Sequence, residues 1–215
     1  MLALFVSSFV TLFVVLDPPG CVPIFSSLTN GASAAHRKTM AVRSTTIASV
    51  VMLSFAIFGE AFLNVLGISL AAFRIAGGIM VFLIAIDMIF EKRTERRENR
   101  AQDVARDAEA ADRAVETEDI SVFPMAIPMI AGPGSIAAIM LLMAKARGPE
   151  ESVVVLAALA SVLLLTLLGL LAAGPLMRLV GRKIEAMVTR LLGVILAALA
   201  AQFVIDGLRE AFHLA

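Results

Sequence analysis

The feature that most constrains this chain is a set of six apolar runs, at residues 1–28, 43–66, 68–90, 120–143, 152–176 and 184–208, each with few or no charges. A helix needs about 20 residues to cross roughly 30 Å of hydrocarbon, so every run is long enough to span a bilayer. A soluble core could not hide that much apolar surface: 60% of the 215 residues are hydrophobic and the mean hydropathy is +0.93, well beyond a water-soluble domain. The expected fold is an all-α integral membrane protein with six transmembrane helices. Residues 1–16 carry no charged side chain, unlike the basic start of a cleavable signal peptide, so the first run is read as a retained span.

Short loops rich in Lys and Arg stay in the cytoplasm. Thirteen of these residues follow runs 1, 3 and 5, among them Arg37, Lys38, Arg43, Arg96, Arg178 and Lys183. The opposite face holds only Lys145, Arg147 and Arg209. Both termini are therefore expected on the periplasmic or extracellular side of the cell (inner) membrane. Residues 91–119 form the one long connection, of mixed charge and without an apolar stripe, and read as a solvated cytoplasmic linker. They separate repeat 1–90 from repeat 120–215. Pro19-Gly20 recurs as Pro133-Gly134, Gly59 as Gly174, Gly67 as Gly181, and Arg74 to Gly77 as Arg190 to Gly193, at offsets of 114, 115, 114 and 116. Three spans per half set the second half upside down, which is the inverted-repeat layout of many secondary transporters.

Runs 1 and 4 break inside the bilayer. The first reads VVLDPPGCVPIF over residues 14–25, and 16 residues before the break cover only about 24 Å. Pro18 and Pro19 remove backbone donors and Gly20 permits unusual dihedrals. The freed carbonyls near Asp17 and the freed amides near Gly20 and Cys21 must then be buried in protein or line a cavity. Pro128, Gly132, Pro133 and Gly134 do the same to run 4, next to Ser135. Two broken helices are expected to meet near the midplane. Restarting helix ends present amides, an anion site, while the preceding carbonyl ends and the Asp17 carboxylate suit a cation. The guest that satisfies both is a zwitterion. Small neutral neighbours, Ala137 and Ala138 among them, favour a small neutral amino acid as the partner alongside the lipid bilayer.

Other polar residues have plainer readings. Asp17 could simply cap the Gly20 or Cys21 amide. Glu60 and Asp87 are candidates for coupling-ion or gate duty, with a proton or sodium ion as the coupling partner. Gln202 is expected to face inward, towards substrate or a neighbouring helix. Arg74, Arg190 and Asp206 are expected at interfacial ion pairs or snorkelling, and Gly77, Gly78 and Gly193 at close helix contacts. The single Cys21 gives no disulfide, no metal cluster is evident, no cofactor is implied, and zero net charge points to no nucleic-acid partner. Nothing in the sequence specifies an oligomeric state. An enzyme is not expected: intramembrane proteolysis needs a nucleophile or activated water with a base in reach, and no histidine lies within a run. Drug or small-metabolite efflux is the alternative within transport, but a chain without Trp or Tyr is poorly equipped for a large aromatic cavity. A membrane protein without transport activity would leave both breaks unexplained.

The strings FVVLDPPGCVPIF, GISLAAFRIAGGIMVFLIAIDMI, FPMAIPMIAGPGSIAAI and RLLGVILAALAAQFVIDGL resemble the MarC family of six-span membrane proteins, within the LysE-type exporter superfamily. The resemblance covers nearly the whole chain. It implies two inverted three-helix repeats and transport of small neutral amino acids such as glycine and alanine. The family pattern has Asn or Asp where Asp17 stands. The charge distribution makes a first prediction: a tag at either terminus is reached only from outside the cell, and one in 91–119 only from the cytoplasm. Termini labelled from inside would contradict the orientation.

Overall fold

The computed structural model describes residues 1–90 and 120–213, without the side chains of 128 and 178–186. The linker 91–119 lies outside the described residues. The described residues form helices only: α1 Leu2–Leu16, α2 Pro18–Leu28, α3 Ala34–Val65, α4 Leu70–Ile89, a wide-turned helical segment Ser121–Ile130, then α5 Pro133–Lys145, α6 Pro149–Leu171 and α7 Ala173–Ala211. Five stretches are long and apolar enough to cross a membrane: Leu2–Leu28, which is α1 with α2, then α3, α4, α6, and Met187–Ala211 within α7. The fourth run, 120–143, is divided, because Phe123 and Ile127 leave helical geometry and only the short apolar α5 continues it.

Two boundaries differ from the sequence expectation. Arg37, Lys38 and Arg43 sit on α3, not in a loop, because Ser33 caps the helix nine residues before its apolar stretch opens near residue 43; its side chain accepts from the His36 amide at 3.2 Å. Likewise α6 and α7 are separated by Ala172 alone. Pro175 falls in the first turn of α7, where proline is tolerated, and the good helix formers after it carry the backbone on. At 39 residues α7 is about 58 Å long, so its basic first third extends beyond the hydrocarbon.

The broken helices are central and the unbroken ones surround them. Leu12, Val14, Val15, Leu16, Cys21, Ile24 and Phe25 of α1 and α2 are buried, as are eight of the thirteen residues of α5. By contrast Ile57, Phe58, Phe62, Leu83, Leu164, Leu168 and Leu191 face outward. Between 28% and 44% of each span's most apolar window is buried in protein. In water such a surface would aggregate; in lipid it is the normal exterior.

Packing pairs α4 with α7 most extensively, α1 with α6, α3 with both the wide-turned segment and α5, and α1 with α5. Small residues allow the α4–α7 approach. A Cβ added to Gly78 would lie 2.9 Å from the Ala200 carbonyl oxygen, and one added to Gly193 would lie 3.2 Å from that of Ala85. As expected from sequence, these glycines mark close helix contact, and Gly77 does so against Ala137 of α5 at 3.2 Å. Because Gly78 faces backbone that cannot swing aside, Gly78→Ala is expected to destabilise the protein by about 1–3 kcal/mol. A denaturation midpoint in detergent checks this; an unchanged midpoint would mean that the α4–α7 seam can open freely.

Candidate functional site

Asp17 holds the first break together. It adopts a left-handed conformation, φ 54° and ψ 61°, that ends α1 and starts α2. That conformation costs an ordinary residue roughly 1–2 kcal/mol, and Asp and Asn tolerate it best. Asp17 Oδ1 accepts a hydrogen bond from the Gly20 amide at 3.1 Å, a cap worth about 1 kcal/mol. The plainer reading of Asp17 thus describes its contact in this structure. Below the turn, Pro18 and Pro19 offer no amide to the carbonyls of Val14 and Val15. The Cys21 thiol reaches back to the Leu16 carbonyl at 3.6 Å, a weak donor in place of an amide. Asp17 is 1% exposed, and Pro18, Gly20 and Cys21 are buried with it.

Proline placement also corrects the expectation that amides from Gly20 onward are free at this end. With prolines at the first two positions of α2, the first amide is that of Gly20, which Asp17 caps, and the next, from Cys21, bonds the Asp17 carbonyl at 3.1 Å. The first break therefore presents a carboxylate and carbonyls more than an anion site.

The second break is built differently. Gly132 is the N-cap of α5 with extended geometry, φ −79° and ψ 167°, and no side chain caps the helix. Pro133 lacks an amide, and the Ile136 amide bonds the Gly132 carbonyl at 3.0 Å. The helix end therefore presents the amides of Gly134 and Ser135, at the positive pole of its dipole. Both residues are buried. Pro128 lies upstream in the wide-turned segment, and its side chain is outside the described residues.

The two breaks meet. A Cβ on Gly134 would sit 3.8 Å from Val15 Cγ1 and would collide with Ile84 Cδ1 of α4. Ile84 thus closes over the α5 terminus from the side, a long-range contact that no local pattern announces. Asp17, Gly20, Cys21, Gly134 and Ser135 are each buried, and α1 packs on α5 where Val15 approaches Gly134. Pro19 is half-buried and, with Pro18, lines an apolar cavity of about 320 Å³ against Gly169 and Met177.

Other candidates lie elsewhere. Asp87 is half-buried on α4, about one turn from Ile84, whereas Glu60 is exposed near the end of α3. Gln202 is exposed rather than inward-facing; its amide donates to Asp206 Oδ1 at 2.6 Å. At four residues' spacing on one helix face, Gln202 bonds its own helix in preference to the core. Asp206 also pairs with Lys145, whose ammonium lies 5.3 Å from the Phe203 ring centroid, and Arg74 pairs with Glu210. Arg74 and Asp206 are thus in ion pairs, and the two pairs tie α4, α5 and α7 at one end.

The chain matches the pattern described as MarC family integral membrane protein over residues 2–212. A UPF0056 membrane protein of Methanocaldococcus jannaschii is 38% identical over 207 residues, covering 96% of this chain and 97% of its own. One of Archaeoglobus fulgidus is 34% identical over 210 residues, at 97% and 94% coverage. The UPF0056 membrane protein YvbG of Bacillus subtilis is 35% identical over 212 residues, at 99% and 97% coverage. No solved structure matches the chain.

The geometry predicts coupling between Gly20 and Asp17. A Cβ on Gly20 would overlap the Asp17 carboxylate, so Gly20→Ala and Asp17→Ala each forfeit the same cap and lose about 1–2 kcal/mol. The double variant is expected to be little worse than either single one. Additive losses in a thermal denaturation cycle would mean that the cap is not shared.

Proposed function

The chain belongs to the MarC family of integral membrane proteins, and on that premise we propose that it is a secondary transporter of small neutral amino acids, working by alternating access. The observation that carries this reading is the complementary pair of backbone breaks. The amides of Gly134 and Ser135 are suited to a substrate carboxylate. The Asp17 carboxylate and the carbonyl end of α1, beside Val15, are suited to its ammonium. Val15 Cγ1 lies 3.8 Å from where a Cβ of Gly134 would be, so a small zwitterion such as glycine or alanine is the guest proposed to bridge the two ends.

Size and polarity argue together. Ala137, Ala138 and Ile139 continue α5 as a wall of small or apolar side chains, all buried, with no counter-charge for a charged side chain of the substrate. Burial of the whole region corresponds to an occluded state, in which Ile84 packs against Gly134. Opening to either side then requires α4 or the α1–α2 turn to move.

The same reading takes the six spans as two inverted three-helix repeats. Support comes from pairings that persist when the halves are exchanged: the first span, α1 with α2, packs on α6 as the fourth, the wide-turned segment with α5, packs on α3. The displacement of 115 residues that relates Gly78 to Gly193 also relates Ala200 to Ala85, so one glycine-to-carbonyl contact becomes the other. Asp87, near Ile84, remains the candidate for coupling to a proton or sodium ion, and both termini face outward in the inner membrane. No catalytic step is assigned.

Proteoliposomes tested against labelled amino acids, with and without proton and sodium gradients, check the reading. Saturable glycine or alanine flux is expected, with glutamate and lysine excluded. Replacing Asp17 by Asn keeps the left-handed turn and the cap while removing the charge. Its half-saturation for exchange should rise five- to thirtyfold, the equivalent of about 1–2 kcal/mol. Normal exchange affinity with loss of uphill accumulation would instead make Asp17 the proton carrier, and absence of flux for every amino acid would overturn the proposal.

A further inference from the structure

A second polar feature lies away from the two breaks. Where α2 ends and α3 and α7 begin, a cavity of about 220 Å³ is lined by Ser26, Thr29, Arg37, Lys38, Ala173 and Gly174, together with apolar neighbours and no acidic side chain. Two helices start at its wall. The first turn of α3 contains no acidic residue and leads directly into Arg37 and Lys38. The first turn of α7 contains none either, and no side chain caps it.

This arrangement runs against an electrostatic rule at the start of α3. Cations are disfavoured beside a helix N-terminus, whose amides already carry about half a positive charge, yet Arg37 and Lys38 follow the start of α3 by one turn. Arg37 also reaches across to α7: its Nη1 lies 3.7 Å from where a Cβ of Gly174 would be. The guanidinium thus sits at a junction where the start of α7 adjoins the C-terminal ends of α6 and α2, with Leu170, Leu171 and Thr29 in the same wall. Among the described residues no carboxylate pairs with Arg37 or Lys38. Two exposed cations, Arg37 and Lys38, and the uncapped start of α7 thus share one pocket that holds no carboxylate.

We propose that this cavity binds a phosphate-type oxyanion. An anion there neutralises the unpaired cations: it accepts from the Arg37 and Lys38 side chains, from the first-turn amides of α7 at Ala173 and Gly174, and from the Ser26 hydroxyl. Thr29 is committed, its Oγ1 donating to the Phe25 carbonyl at 2.8 Å, and serves as wall. The volume exceeds that of several waters, at about 30 Å³ each, which leaves room for a phosphate group with part of its hydration. In the orientation given by the charge distribution, the pocket opens at the headgroup depth of the cytoplasmic leaflet. The oxyanion can therefore come from an anionic lipid headgroup or from free phosphate.

The test uses the full chain and the double variant Arg37→Gln/Lys38→Gln. Removing two cations from a helix start relieves repulsion, so the variant is expected to fold at least as well as the natural protein without the anion. A control, Arg147→Gln/Arg209→Gln, removes the same charge elsewhere. In one arm, inorganic phosphate is titrated against thermal stability in detergent, with ionic strength matched by chloride. In the other, retention of phosphatidylglycerol against phosphatidylcholine is measured by mass spectrometry of the intact protein.

The natural protein and the control are expected to bind in at least one arm, and the double variant at least about tenfold more weakly. A response confined to phosphatidylglycerol identifies a lipid headgroup as the source, and a saturable response to phosphate identifies the free ion. Equal behaviour of the natural protein and the double variant in both arms would overturn the site, whatever the outcome of the transport assays.

Discussion

Hydrocarbon offers no hydrogen bonds to a peptide group, and the architecture follows from where this chain interrupts its own helices. Each break leaves backbone donors or acceptors without helical partners, so the broken elements occupy the protein interior and the continuous helices α3, α4, α6 and α7 form the wall. The burial pattern agrees: α1, α2 and α5 supply much of the core, whereas the outer helices keep Phe58, Leu83, Leu164 and Leu191 for lipid. A central position also makes a break useful, because polar backbone buried between helices is the material from which a membrane protein can build a site for a polar guest.

The two breaks resemble each other in sequence and differ in chemistry. Prolines at the first two positions of α2 delete the donors there, and Asp17 occupies the Gly20 amide that follows. In α5 a single proline stands at the first position and no side chain caps the start. One break is therefore rich in acceptors and the other in donors. On the proposed reading, that polarity would give a zwitterion one preferred orientation between α1 and the start of α5. Asn would serve the same backbone role as Asp at position 17: both tolerate the left-handed turn and both cap an amide, so that role survives the loss of charge.

Much of this was legible from residue type alone. Hydropathy gave the apolar runs, Pro and Gly located both breaks, and the repeated glycines anticipated the α4–α7 seam. The failures share a cause, which is that facing is set by partners far along the chain. An inward-facing Gln202 follows from the need of a polar side chain in an apolar run for a partner, but Asp206, one turn on and itself paired with Lys145 of another helix, provides that partner at the surface. Ile84 is an unremarkable residue in an apolar helix, and only the fold sets it over Gly134. The missing loop between α6 and α7 shows the limit of charge as a boundary signal, since lysine and arginine are also good helix formers.

The most direct measurement uses the chain's own thiol. Cys21 is the one cysteine in the sequence and is fully buried beside the Asp17 turn, so its alkylation in the unaltered protein reports how often the central region opens. Its labelling rate by a small thiol reagent in membranes should fall as glycine or alanine is added, saturating with concentration, and should not respond to glutamate or lysine. A rate that no small neutral amino acid alters would contradict a substrate site between the two breaks.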